Sequence, residues 1–242
     1  MQVDERWLPE SGAPRSIRSF VVRRARMNQS HKNALREHGD RYIVSLTDIA
    51  GSPLKQFPDT CGPRAGGRLL LEIGFGMGHA TADLAAARPT DAYIGVEVYP
   101  PGVARLIGDL EEREIDNVRI VRTDAVDVIA SWSDEWPVDG IHVFFPDPWP
   151  KKRHHKRRLI QPSFLESVHR ILRENGYLYL VTDWEDYARH MKEVTAGFGG
   201  FVIEDADPDG YSRPRDWRPT TAFERKGLSR GHAIRELFLR KR

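Results

Sequence analysis

The residues best suited to chemistry in this chain are acids that close apolar runs, one of them followed by a dense block of cations. Asp147 sits in FFPDPWPKKRHHKRR (Phe144 to Arg158), between two prolines and two residues before Trp149. Six Lys or Arg and two His then fill the eight positions from Lys151 to Arg158. Glu72, Glu97, Asp124 and Asp183 are the other acids of this kind. A carboxylate so placed can accept hydrogen bonds, hold a cation, or stabilise positive charge that develops during a reaction. A cation run attracts polyanions, and neutralising several phosphates makes affinity fall steeply with salt. Charge runs are usually solvated faces or interaction tails. This one lies between a strand and its helix, at the tip that carries Asp147, where a tail would not lie. His154 and His155 are adjacent and lack metal-ligand spacing, so no metal site is expected.

Glycines supply the second constellation. LEIGFGMG places Gly74, Gly76 and Gly78 at a strand-to-helix turn, where glycine lets the backbone approach a ligand closely. A dinucleotide fingerprint needs G-x-G-x-x-G, and the residue three after Gly76 is His79, which weakens a nicotinamide reading. The G-x-G-x-G spacing preceded by Glu72 resembles motif I of class I methyltransferases that use S-adenosyl-L-methionine. The ammonium and sulfonium of that ligand are cationic, so an acid beside the loop is tolerable. Glu97 falls about 20 residues past the loop, where a carboxylate accepts from ribose hydroxyls. Asp124, at the next tip, is placed to accept from the adenine amino group. Each acid alone could equally be a helix N-cap or a solvated loop residue.

The elements that position these residues alternate along the chain. RLLLEIG (68–74), AYIGVEV (92–98), VRIVRTD (118–124), GIHVFFPD (140–147) and YLYLVTD (177–183) read as buried strands, separated by helical stretches. The helix from Pro162 is expected to run to Glu174 and stop at Asn175-Gly176. FVIEDAD (201–207) and AIRELFLRK (233–241) are the last two strands, on either side of a Pro- and Arg-rich insertion. The alternation predicts an α/β fold, a doubly wound Rossmann-like sheet that is mostly parallel with an antiparallel C-terminal strand and helices on both faces. Such sheets bind ligands beyond the C-terminal strand ends, which is where the acids fall.

Residues 1–66 read as a flexible basic N-terminal arm and linker, and 67–242 as the methyltransferase domain. Arg18, Arg23, Arg24 and Arg26 could line an RNA-facing arm or a solvated face. Cys61 is the single cysteine, which excludes an internal disulfide and fits a reducing compartment. Net charge is +2, so affinity for nucleic acid must come from clustering. No apolar run reaches the roughly 18 residues of a membrane span, and the start lacks a signal-peptide layout. A cytoplasmic protein is expected; monomer or homodimer stays open.

LEIGFGMG, GVEV, FFPDPWPKKRHHKRR, VTDWEDYA and RPTTAFERKG…GH together resemble the bacterial tRNA (guanine-N7-)-methyltransferase family. The resemblance implies methyl transfer from S-adenosyl-L-methionine to N7 of a guanine in tRNA, at position 46 of the variable loop. It implies that Glu72, Gly74, Gly76, Gly78, Glu97, Asp124 and Asp147 serve the cofactor or the reaction centre, with Asp147 catalytic. It implies that Lys151, Asp183, Thr221, Phe223 and Glu224 contact the substrate, and that Arg153, His154, His155, Lys156, Arg157 and Arg158 contact RNA. Ala222 stands where the family usually has a lysine. Thr221 and Glu224 also form a T-x-x-E capping box, and Asp183 could be an N-cap. Guanine N7 is an unprotonated lone pair, so in-line transfer needs no general base, and catalysis rests on positioning and electrostatics. Another class I nucleic-acid or protein-amide methyltransferase, or a non-catalytic RNA-binding relative, remains the alternative.

Overall fold

The computed structural model describes Phe20 and residues 27–242. Arg18, Arg23, Arg24 and Arg26 lie outside the described residues. Two compact units divide the chain; the first holds residues 27–136, the second Phe20 and residues 137–242.

In the first unit β1 (Leu69–Ile73), β2 (Ala92–Val96) and β3 (Val118–Val121) run parallel, β2 central. Every residue of the three is buried, which explains their near-continuous apolar text. Between them run α3 (His79–Ala87) and α4 (Pro100–Glu112), whose two prolines occupy first-turn positions with no hydrogen bond to lose. α5 (Ala125–Ser131) follows β3. The span expected as arm and linker carries α1 (Gln29–Tyr42), α2 (Leu46–Gly51) and 3-10 turns at Pro53–Gln56 and Pro63–Ala65. α1 packs on α4, with Arg41 paired to Glu111 at 2.8 Å and the Tyr42 hydroxyl donating to the Ile115 carbonyl at 3.1 Å. Leu54, Phe57 and Cys61 are buried. The prolines there start tight turns instead of leaving a loose chain.

The second unit contains β4 (Val138–Phe144), α6 (Pro162–Ile171), β5 (Leu172–Thr182), α7 (Glu185–Phe198), β6 (Phe201–Ile203), α8 (Ala222–Leu228) and β7 (Arg235–Lys241). β4 and β5 are parallel; β7 runs antiparallel to β5 and to β6. The fold is therefore the expected α/β type, mostly parallel with antiparallel C-terminal strands. Several boundaries move, β4 to Val138–Phe144 and β6 to Phe201–Ile203 among them. α6 ends at Ile171, three residues early, because Leu172 is buried and pairs with Val138. β3 ends at Val121 because Asp124 turns away to cap α5. The insertion also holds α8, which its Pro- and Arg-rich text concealed. Among the described residues, no helix is long and apolar enough to cross a membrane.

Candidate active site

In the first unit the three strand ends carry the glycine loop, Glu97 and Asp124. Gly74, Gly76 and Gly78 all have positive φ, which ordinary side chains resist. A Cβ on Gly74 would meet nothing within 4 Å, so the ground beside that backbone is open. Glu97 fixes the loop: one oxygen accepts the Gly76 N–H at 2.8 Å, the other those of Val98 at 2.7 Å and Tyr99 at 2.9 Å. Charge-assisted bonds of this kind are about twice as strong as neutral ones. Asp124 accepts the Val126 N–H at 3.0 Å and so caps α5. Its cap role and a ligand contact are compatible, since a carboxylate has about four acceptor positions.

Glu72 is only 3% exposed, and its Oε2 has no hydrogen-bond partner. Burial pushes its carboxyl up to about 7, with the charge of Glu97 adding to the effect. An acid so buried, beside open glycine backbone, suits a cationic ligand group. At the β3 end the buried Arg122 has no partner for Nε or Nη2, and desolvation lowers its guanidinium to about 10. Nothing in its sequence context singled it out.

In the second unit the ends of β4 and β5 lie side by side, with the Phe145 N–H donating to the Val181 carbonyl at 2.8 Å. Asp147 is exposed beyond this edge. Phe145 and Trp149 flank it with φ of 54° and 45°. Left-handed backbone at a non-glycine residue costs about 1–2 kcal/mol and persists only where surroundings enforce it. Arg158 holds the Trp149 side of this turn. It is 3% exposed, donates to the Pro148 carbonyl at 2.9 Å, pairs with Asp186, and lies 5.0 Å over the Tyr187 ring. Its guanidinium holds the Asp186 carboxyl below the usual range. Arg158 therefore anchors the loop, and its burial is inconsistent with the expected RNA contact.

Lys152–Arg157 wind into a 3-10 helix rather than an open loop. Lys151, Lys152, Arg153 and Lys156 are exposed, His154 and His155 half-buried. Arg157 stacks 4.8 Å over the Trp149 ring, and His154 meets that ring edge-on at 5.8 Å. Burial and then the surrounding cations lower the His154 imidazole, favouring its neutral form.

Asp183 is not a helix cap; Trp184 takes that place. Its Oδ2 lies 3.2 Å from His232 Nδ1. A Cβ on Gly227 would come within 2.8 Å of the same oxygen, so α8 docks on Asp183 only through glycine. Thr221 and Glu224 form the capping box in full. Glu224 also accepts two bonds from Arg218, at 2.6 and 3.0 Å. Arg218 reaches Glu236 on β7 at 2.6 Å, and the Tyr179 hydroxyl donates to Glu236. Phe223 is 59% exposed and stacks on Phe145 with centroids 6.5 Å apart. The second unit thus gathers Asp147, Asp183 and α8 at one end, and the first gathers Glu72, the glycines, Glu97 and Asp124 at strand ends of its own. Arg218 and His232 lie in the RPTTAFERKG…GH text, but sequence reasoning gave neither a role.

A family model described as "Putative methyltransferase" matches residues 67–237. The tRNA (guanine-N(7)-)-methyltransferase of Ralstonia pickettii (strain 12J) is 46% identical over 233 residues, spanning 96% of this chain and 88% of that protein. The Neisseria meningitidis serogroup B protein of the same name is 41% identical over 242 residues, 99% of this chain and 96% of its own length. Among solved structures, the 16S rRNA methyltransferase KamB is similar with a TM-score of 0.53 at 13% identity. That match covers 76% of this chain and 94% of KamB, and shows a shared fold alone.

Proposed function

The chain belongs to the tRNA (guanine-N(7)-)-methyltransferase family, and on that premise we propose that it methylates N7 of a guanine in tRNA, in the variable loop. The observation that carries this reading is the near-full-length identity to relatives of that name. S-adenosyl-L-methionine is the methyl donor and supplies an electrophilic methyl group on a sulfonium.

The chain's own residues then divide the work by position. The glycine loop admits a ligand against bare backbone, and Glu97 ties that loop, through the Gly76 N–H, to its own segment, through those of Val98 and Tyr99. Glu72 faces cationic charge from a buried site, and Asp124 accepts at the α5 start. Asp147 stands at the reaction centre and stabilises positive charge appearing on the purine. Asp183, steadied by His232, accepts from the guanine N1–H and 2-amino group, which adenine lacks in that arrangement. Phe223 offers an exposed ring for stacking. Lys151 contacts the substrate guanine, and Arg153, His154, His155, Lys156 and Arg157 meet the RNA backbone. The acceptor lone pair carries no proton, so no group here need act as a base. In A-form RNA the deep major groove hides N7, so the target base is one that is accessible or turned out.

Incubating the protein with tRNA and methyl-labelled S-adenosyl-L-methionine, then resolving nucleosides, tests this reading. Label is expected in 7-methylguanosine. Label in N6-methyladenosine, or tRNA bound without label, overturns it.

Glu72 gives a pH signature. Its carboxyl, raised to about 7 in the folded protein, ionises near 4.3 in an unfolded chain. The stability it contributes is complete below the unfolded value and is lost as pH rises through the folded one. Cofactor binding selects the ionised form, so affinity is full above pH 7 and weakens up to about tenfold per unit below it. Calorimetry at pH 6 in buffers of different ionisation enthalpy should show nearly one proton released per cofactor bound, and Glu72→Gln should abolish that release. Buffer-independent heats in the unaltered protein would refute the linkage.

A further inference from the structure

Among the described residues, the Lys226 side chain on α8 has no hydrogen-bond or ion-pair partner. The helix's single acid, Glu224, is turned inward on Arg218, and Gly227 packs inward on Asp183. Phe223 and Lys226, three apart on α8, are exposed on one side of the helix, and Arg230, also exposed, stands in the turn that follows it. Arg225 is also exposed and donates to the Thr220 carbonyl at 3.0 Å. Among the described residues neither Lys226 nor Arg230 has an acidic partner. A helical side chain covers the surface over the turn preceding its own Cα. Lys226 therefore lies toward Ala222, whose small side chain leaves that surface open. The head of the stripe is Phe223, stacked on Phe145 two residues before Asp147.

We propose that this stripe, Lys226 and Arg230 with Arg225 beside them, is a second phosphate-binding surface for tRNA, distinct from the Lys151–Arg158 block. Exposed cations without an acidic partner among the described residues suit a polyanion, and their position beside the Asp147 tip places them along the RNA that flanks the target base. The stripe carries cations and no base-edge donors in fixed pairs, so it fixes register and affinity and not the identity of the base. The inference rests on the tRNA reading above.

The test measures tRNA affinity across a salt series for the unaltered protein, for Lys226→Ala/Arg230→Ala, and for Lys226→Arg/Arg230→Lys. Two lost phosphate contacts reduce the slope of log K against log salt by about 1.4–1.8. The alanine pair is expected to show that loss with unchanged cofactor affinity, and the charge-keeping pair to retain the original slope. If the unaltered protein binds and methylates tRNA while the alanine pair keeps its slope and affinity, the stripe is not a phosphate surface. If the charge-keeping pair loses the slope as well, the effect is structural and the proposal fails. If the unaltered protein binds no tRNA, the family-based reading itself fails, which is a different result.

Discussion

Asp147→Asn lowers turnover at saturating tRNA and cofactor by about 10²- to 10³-fold, the cost of removing one preorganised electrostatic contact from a reaction centre. Asparagine has nearly the same shape and leaves one carbonyl oxygen to accept hydrogen bonds, but removes the charge. Methylation at N7 leaves a positive purine, so the lost charge is felt most in the transition state. tRNA affinity should stay unchanged, because the cation block and α8 do not depend on that carboxylate. Single-turnover rates separate the chemical step from binding. The deficit should be constant over every pH at which the carboxylate is ionised, since no proton leaves N7. Near-wild-type turnover in Asp147→Asn would remove Asp147 from the reaction centre.

Arg218→Ala should strongly destabilise the second unit. Its guanidinium is buried and joins Glu224 on α8 to Glu236 on β7. Those two carboxylates, with Tyr179, hold its own pKa far above the ordinary value despite burial. Removing it strands Glu236, which is 2% exposed, and breaking a buried pair in this way costs about 3–5 kcal/mol. For a chain of this size that corresponds to a fall in melting temperature of roughly 10 °C. Calorimetric melts at neutral pH check this; a fall of only a degree or two would show that the Arg218 link contributes little to holding α8 on β7. α8 should loosen with the same change, because Glu224 loses its main partner.

The alternating strands and helices were legible because buried parallel strands leave unbroken apolar text, and because acids and glycines mark their ends. The tips of Glu97, Asp124, Asp147 and Asp183 follow directly from that pattern. Their partners were not legible. Glu97 accepting three N–H groups and Asp183 meeting His232 both depend on backbone direction after the strand, which residue type does not encode. The block after Trp149 read as uniform charge, yet the structure separates it. Arg158 is buried against Tyr187 and Asp186, Arg157 covers Trp149, and the remaining basic side chains are exposed or half-buried. Local sequence gives no reason for Arg158 to differ from Arg157; α7 supplies it. Likewise Pro53 and Pro63 looked like linker punctuation and instead open 3-10 turns whose neighbours are buried.

The identity of the acceptor atom can be tested by changing that atom alone. A tRNA carrying 7-deazaguanosine at the target position keeps the N1–H and 2-amino edge but has a C–H where N7 stood. Such a tRNA should bind with unchanged affinity, compete with ordinary tRNA, and accept no methyl group at the substituted base. Methyl transfer to that base at the ordinary rate would contradict N7 as the acceptor, and with it the charge-stabilising role given to Asp147.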